Sequence, residues 1–223
     1  LSFKHPSSEV RTCHDTCGKG ITMIEVNSIL KLQDDMVVRW HDREEDRPYE
    51  GIYGTICEQH SFNFKLWHQE DIARSPELPD GRIAQVKRTI DGLNQQRNDW
   101  IEKIDEWILA NLSERRISAQ PTAPLNTETP GSAIDRLSIL SLRLYHLAEQ
   151  THRPEATPDL LASLKQKLTI GLAQREDLSD SLADLIDDVY DGNKRHKTYR
   201  QMKMYNDPTM NPYLYASEQR KAG

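Results

Sequence analysis

The chain of 223 residues has few cysteines, only three phenylalanines, and no long apolar run. Three cysteines, Cys13, Cys17 and Cys57, are too few for a disulfide framework, so a reducing cytoplasm is the expected compartment. No stretch approaches the ~18–20 apolar residues that cross a bilayer, so no membrane span is expected. No apolar segment follows a basic N-terminus, which excludes a recognisable secretory leader. A net charge of −6 makes nucleic acid an unlikely partner. Phosphate-cradling glycine loops and nucleophile–base spacings are missing, so the residues name no reaction. Val is scarce, with 6 against 23 Leu, and short alternating runs are few, which argues against a sheet. Leu, Ile, Val and Phe together number 48 of 223, just above the ~20% below which chains tend to stay disordered.

What is present is helical periodicity. Val26, Ile29, Leu30, Met36, Val37 and Trp40 recur at three- and four-residue steps. The charged stretch Asp42–Pro48 breaks this pattern, and a second helix is expected from about Tyr49 to Arg74. A third runs from Asp80 to about Leu112 on the stripe Ile83, Val86, Ile90, Ile101, Ile104 and Ile108. Thr129-Pro130 and Thr157-Pro158 each read as an N-cap followed by proline at the first helical position. The first starts a helix to about Gln150 that is apolar nearly all round and belongs in the centre of a bundle. The second starts a helix to Tyr190, with Gly171 as a point where it can bend and Gly192 as its stop. The expected fold is all-α: an antiparallel bundle of about five helices with an irregular C-terminal tail packed on it.

This organisation divides the chain into residues 1–22, 23–193 and 194–223. The first segment is aperiodic and precedes Met23, so it is read as disordered or as a start-site artefact. Cys13, His14 and Cys17 form too small a set for structural zinc, which takes four ligands. The last segment reverses the charge: seven acids and no Lys or Arg fill 176–191, then five Lys or Arg and no acid fill 194–203. Four of the eight tyrosines and three of the five methionines lie beyond residue 198.

Polar side chains occupy positions a plain bundle would give to leucine. At about 100° per residue, His60, Asn63, Trp67 and Asp71 share one face of the second helix, with Glu70 beside it. Asn94 and Arg97 interrupt the third-helix stripe, and Asn98 lies at its edge. Asp135 and Arg136 interrupt the fourth helix, and Arg175 aligns with Leu168 and Leu182 on the fifth. Asp71 is the expected internal partner of Arg97. Two arrangements satisfy these groups. One is a closed hydrogen-bonded network that sets helix register. The other is an anion pocket in which Arg97 and Arg175 bind a ligand and His60 or Asp71 moves a proton. In the tail, Arg200, Lys203, Tyr205, Asn206 and Asp207 would form a lid over it or dock a partner. His60 and His68, eight residues apart, do not make a metal-ligand set. No metal and no cofactor is read from the chain.

Four segments together resemble the bacterial domain of unknown function 4254: HSFNFKLWHQED (His60–Asp71), IDGLNQQRNDWIEKID (Ile90–Asp105), TPGSAIDRLSILSLRLYHL (Thr129–Leu147) and YRQMKMYNDPTMNP (Tyr199–Pro212). The resemblance implies a helical protein encoded beside glycosyltransferases of lipopolysaccharide and envelope-glycan assembly. It brings no catalytic role for any residue. Three functions are therefore expected alternatives: an accessory protein that binds a glycosyltransferase or an anionic sugar precursor; an enzyme acting on a phosphorylated sugar or nucleotide-sugar; or a structural bundle that forms a homodimer.

Overall fold

The computed structural model describes residues 24–204 and 207–214. The N-terminal segment with Cys13, His14 and Cys17 lies outside the described residues, as do Tyr205 and Asn206 of the expected lid. Five helices form: α1 (Val26–Asp42), α2 (Gly51–Ala73), α3 (Asp80–Glu114), α4 (Pro130–Gln150) and α5 (Pro158–Tyr190). A further helical turn lies at 212–214. Among the described residues no strand forms beyond an isolated bridge between Leu125 and Arg195. Among the described residues no helix is long and apolar enough to cross a membrane.

The caps start helices where the sequence places them. Thr129 and Ser132 form a reciprocal capping box at α4, with Thr129 Oγ1 accepting from the Ser132 amide at 3.2 Å and Ser132 Oγ accepting from the Thr129 amide at 3.1 Å. Thr157 Oγ1 accepts from the Leu160 amide at the start of α5. Gly192 ends α5 with a positive φ of 75°. Gly171 does not break α5; a Cβ there would stand 2.8 Å from the Leu144 side chain, so the glycine lets α4 approach closely.

Helix α4 is the central element and touches all four others. Ile134, Leu137 and Leu142 are 0–1% exposed and meet Ile29, Leu32, Ile56, Ile104, Ile108 and Leu182 in one core. Burying such side chains contributes about 1.5–3 kcal/mol each and holds the layers together. A smaller cluster of Leu66, Val86 and Ile90 closes the far end of the α2–α3 hairpin.

Helices α2 to α5 alternate in direction, as expected from their sequence. Helix α1 does not alternate with α2. Glu25 lies at Tyr53, Gln33 at His60 and His41 at His68, so α1 and α2 run parallel. The extended segment 43–50 makes this possible by returning along α1: Arg39 pairs with Asp46, and Trp40 Nε1 donates to the Asp46 carbonyl at 3.2 Å. Asp135 of α4 meets Gln59 and Asn63, and His146 meets His68, so α4 is parallel to both. Three parallel helices in one register therefore form the heart of the bundle.

The backbone of α4 approaches α3 most closely at Gly131, where an added Cβ would stand 2.7 Å from the Ile101 carbonyl oxygen. Gly131→Ala should therefore destabilise the protein by ~1–3 kcal/mol in urea unfolding, because backbone must move. Gly92, in the exposed middle of α3, faces open space. Gly92→Ala should stabilise by ~0.5–1 kcal/mol through reduced chain entropy. Equal effects at the two sites would contradict this account of helix contact.

Candidate functional site

The polar groups converge on one carboxylate. Asp135 is 3% exposed at the centre of α4. Its Oδ1 accepts from Gln59 Nε2 at 2.6 Å, Asn63 Nδ2 at 2.9 Å and Arg97 Nε at 2.8 Å. Its Oδ2 accepts from Arg97 Nη2 at 2.7 Å. The guanidinium thus binds side-on with two parallel bonds, the strong geometry for this pair. Arg97 Nη1 also reaches Asn94 Oδ1 at 3.5 Å. Removing the carboxylate from water carries a cost of several kcal/mol that only such a full set of donors offsets.

A directional hydrogen-bond chain extends from this hub. Asn63 Nδ2 donates to Ser138 Oγ at 2.8 Å, and Ser138 Oγ lies 2.6 Å from His60 Nδ1. His60 Nε2 lies 3.1 Å from the Gln33 carbonyl, which can only accept, so Nε2 carries the proton and Ser138 donates to Nδ1. Burial lowers the His60 pKa to about 3, so the ring is neutral at physiological pH. Gln33 Nε2 donates to the Ile134 carbonyl at 3.2 Å. Two buried acceptors, Gln33 Oε1 and Gln59 Oε1, find no donor among the described residues. Burial also pushes the Cys57 thiol up to about 11, which makes it a poor nucleophile.

The remaining expected residues disperse. Asp71 is exposed and does not meet Arg97; that role falls to Asp135, because α4 packs against both α2 and α3. Arg175 is inward-facing but pairs with Asp34 of α1 at 2.8 Å and the Leu30 carbonyl at 3.3 Å, so it serves the α1–α5 contact. Glu70 pairs with Arg74 and Lys87 at the surface. Arg136 points outward to Glu128. Asn98 is buried on α3. Trp67 is half-buried and stacks on His146 at 4.9 Å.

The tail docks on α3 more than on the acidic end of α5. Among the described residues, Lys194 forms an ion pair with the latter, through Asp188 at 3.2 Å. His196, with its side chain 2% exposed, reaches the Asp105 carbonyl at 2.9 Å. Arg200 bridges Glu102 and Glu106. The buried Asp105 carboxylate also accepts from the Gly131 amide at 2.8 Å, joining the tail anchor to the start of α4. Lys203 is half-buried, and Asp207 caps a local turn by accepting from the Thr209 amide and hydroxyl.

Sequence reasoning missed a second cluster. His41 of α1, His68 of α2 and His146 of α4 each offer a ring nitrogen, and these atoms lie within 4.8 Å of one another. They belong to the same parallel register as the polar chain. Gln33, His60 and Ser138 form one layer, and the residue eight positions later on each helix is a histidine. Burial first, then the neighbouring His41 and His146, lower the His68 pKa. The shared offset of eight is the only signal in the chain, and it has meaning only once the helices are known to be parallel.

The fold and these sites define an all-α bundle built round a buried, largely saturated polar layer with a histidine cluster above it. No curated protein and no solved structure matches the chain. Residues 54–198 match the family described as protein of unknown function (DUF4254), and the chain belongs to that family.

Two results should follow from the hub. Asp135→Ala strands the Arg97 guanidinium and should cost ~3–5 kcal/mol in urea unfolding, at the low end because the Arg97 side chain is 27% exposed. His60 is neutral when folded but protonates near pH 6.5 when unfolded. The unfolded state therefore gains protons first on acidification, and stability should fall from about pH 6.5 towards pH 3 by up to about 1.4 kcal/mol per pH unit. His60→Gln should flatten that limb; an unchanged acid slope in the variant would rule His60 out as its source.

Proposed function

We propose that the protein is a docking factor for a glycosyltransferase of envelope-glycan assembly, with the C-terminal segment as its contact element. The observation that carries this reading is the exposure of apolar side chains beyond the His196 anchor. Met202 is 79% and Tyr213 89% exposed, and Tyr199, Met204 and Met210 are each more than half exposed. Methionine adapts to irregular partner surfaces, and tyrosine is enriched in interface cores. The anchor on α3 holds the base of the segment, so a partner would not have to order all of it. The partner class comes from the resemblance of the four sequence segments to a family encoded beside such transferases. The reading places the protein in the cytoplasm, the compartment that suits a chain with too few cysteines for a disulfide framework.

An enzyme that grips a phosphorylated sugar through Arg97 and Arg175 is less favoured. Both guanidinium groups already bind protein carboxylates, at two different helix contacts. His60 is fully buried and hydrogen-bonded at both nitrogens, so it has no route to a substrate.

Truncation after Thr198 keeps the His196 anchor and removes the exposed apolar segment. Co-purification with the adjacently encoded glycosyltransferase should be lost, while circular dichroism and the melting temperature change little. Undiminished co-purification would overturn the docking role. A homodimer that becomes monomeric on truncation, with no transferase bound before or after, would instead assign the segment to self-association.

A further inference from the structure

The geometry points to a divalent transition-metal site, of the zinc class, held by His41, His68 and His146. This site lies on α1, α2 and α4, away from the exposed tail, and is independent of the docking reading.

Three observations carry it. First, the three rings converge edge-on and bring one nitrogen of each within 4.8 Å of the others. Their centroids are 5.1 Å apart for His41–His68, 5.1 Å for His41–His146 and 5.8 Å for His68–His146, with interplanar angles of 70°, 75° and 85°. Second, two of the rings are already oriented through their other nitrogen. His41 Nδ1 donates to the Val37 carbonyl at 2.7 Å, and His146 Nδ1 donates to Glu149 Oε2 at 3.1 Å. Such a bond fixes the tautomer that leaves Nε2 with a free lone pair, and it is the usual support of a metal-bound histidine. Third, Nε2 of both His41 and His146 is buried with no hydrogen-bond partner among the described residues. A buried acceptor of that kind destabilises the fold unless something binds it.

The surroundings fit a cation. Trp67 stacks on His146, Tyr145 stacks on His41 at 4.4 Å, and Phe64 packs edge-on against His41 and His68. This apolar collar strengthens coordination and restricts water. Glu45 and Asp71 bear on His68 electrostatically, and Glu45 also pairs with Lys65 and Arg47. A tetrahedral centre with bonds of ~2.0–2.1 Å sets its nitrogens about 3.3–3.4 Å apart, so loading closes a gap of no more than 4.8 Å by at most about 1.5 Å. Imidazole ligands suit zinc, copper, nickel and iron; the two hard cations calcium and magnesium prefer oxygen. Three histidines leave a coordination position for water or a substrate, the pattern of catalytic rather than structural zinc. All three residues are half-buried rather than sealed in the core.

The test uses the full chain carrying Cys13→Ser, His14→Ala and Cys17→Ser, so that the N-terminal thiols and imidazole do not compete. The metal-stripped protein is titrated with Co²⁺. One equivalent should bind with visible d–d absorption, show three hyperfine-shifted exchangeable ring N–H signals, and be displaced by Zn²⁺. His41→Ala, His68→Ala and His146→Ala should each weaken binding by more than the ~10–100-fold that outer-shell changes cost. Glu149→Ala should weaken it by up to that amount with an unchanged fold, and His152→Ala should leave it intact. Absence of a bound equivalent in the parent chain, or binding unaffected by all three histidine changes, would overturn the site. The parent titration decides the matter even if a variant fails to fold. Truncation after Thr198 should leave binding unchanged, so loss of docking and loss of the metal site are read separately.

Discussion

The Asp135 carboxylate is the constraint on which the bundle depends. A buried charge tolerates no missing donor, and its four hydrogen bonds come from α2 and α3 while it sits on α4. Sliding any one of these helices by a turn would strand the charge in the core. Apolar packing alone would not forbid such a slip, because Ile and Leu recur along every stripe and resemble one another. The hub therefore acts as a register device, and Ser138 and His60 pass that register on to α1 through the Gln33 carbonyl.

Register matters because α1, α2 and α4 are parallel. An error in one of them would shift every later layer, including the one eight residues on that contains His41, His68 and His146. Polar hub and histidine cluster are thus two levels of one assembly. The lower level is largely closed by its own hydrogen bonds, with Gln33 Oε1 and Gln59 Oε1 as its two acceptors without a donor among the described residues. The upper level has two unpartnered ring nitrogens on half-buried histidines. The contrast explains why the polar residues most conspicuous in the sequence serve the fold, while the group with capacity for a ligand drew no notice.

Much of the fold was legible. Thr129-Pro130 and Thr157-Pro158 mark helix starts because capping and the fixed proline φ are local effects. The nearly all-round apolar pattern of α4 gives its central place, because only a narrow solvated stripe at Arg136 and Arg143 is left to it. Polar inward positions at Asn63 and Arg97 were legible from periodicity. Their partner was not: Asp71 is the nearer choice along the chain, and only the packing of α4 against both α2 and α3 brings Asp135 to both. The tail shows the same limit. Along the chain its charge complement is the adjacent acidic end of α5, yet Arg200 meets Glu102 and Glu106 of α3, because burial of His196 directs the chain there.

By itself the sequence determined the helices, their ends and which residues face inward, since these depend on dihedral preference, capping and a 3.6-residue period. The direction of α1 relative to α2 was decided only by tertiary structure. The segment 43–50 can turn tightly or run back along α1, and its local preferences do not choose; the ion pair of Arg39 with Asp46 and the apolar face of α1 do. With α1 antiparallel, His41 would lie at the opposite end of α2 from His68. The meeting of three lone histidines from three helices is thus a property of packing, not of spacing along the chain.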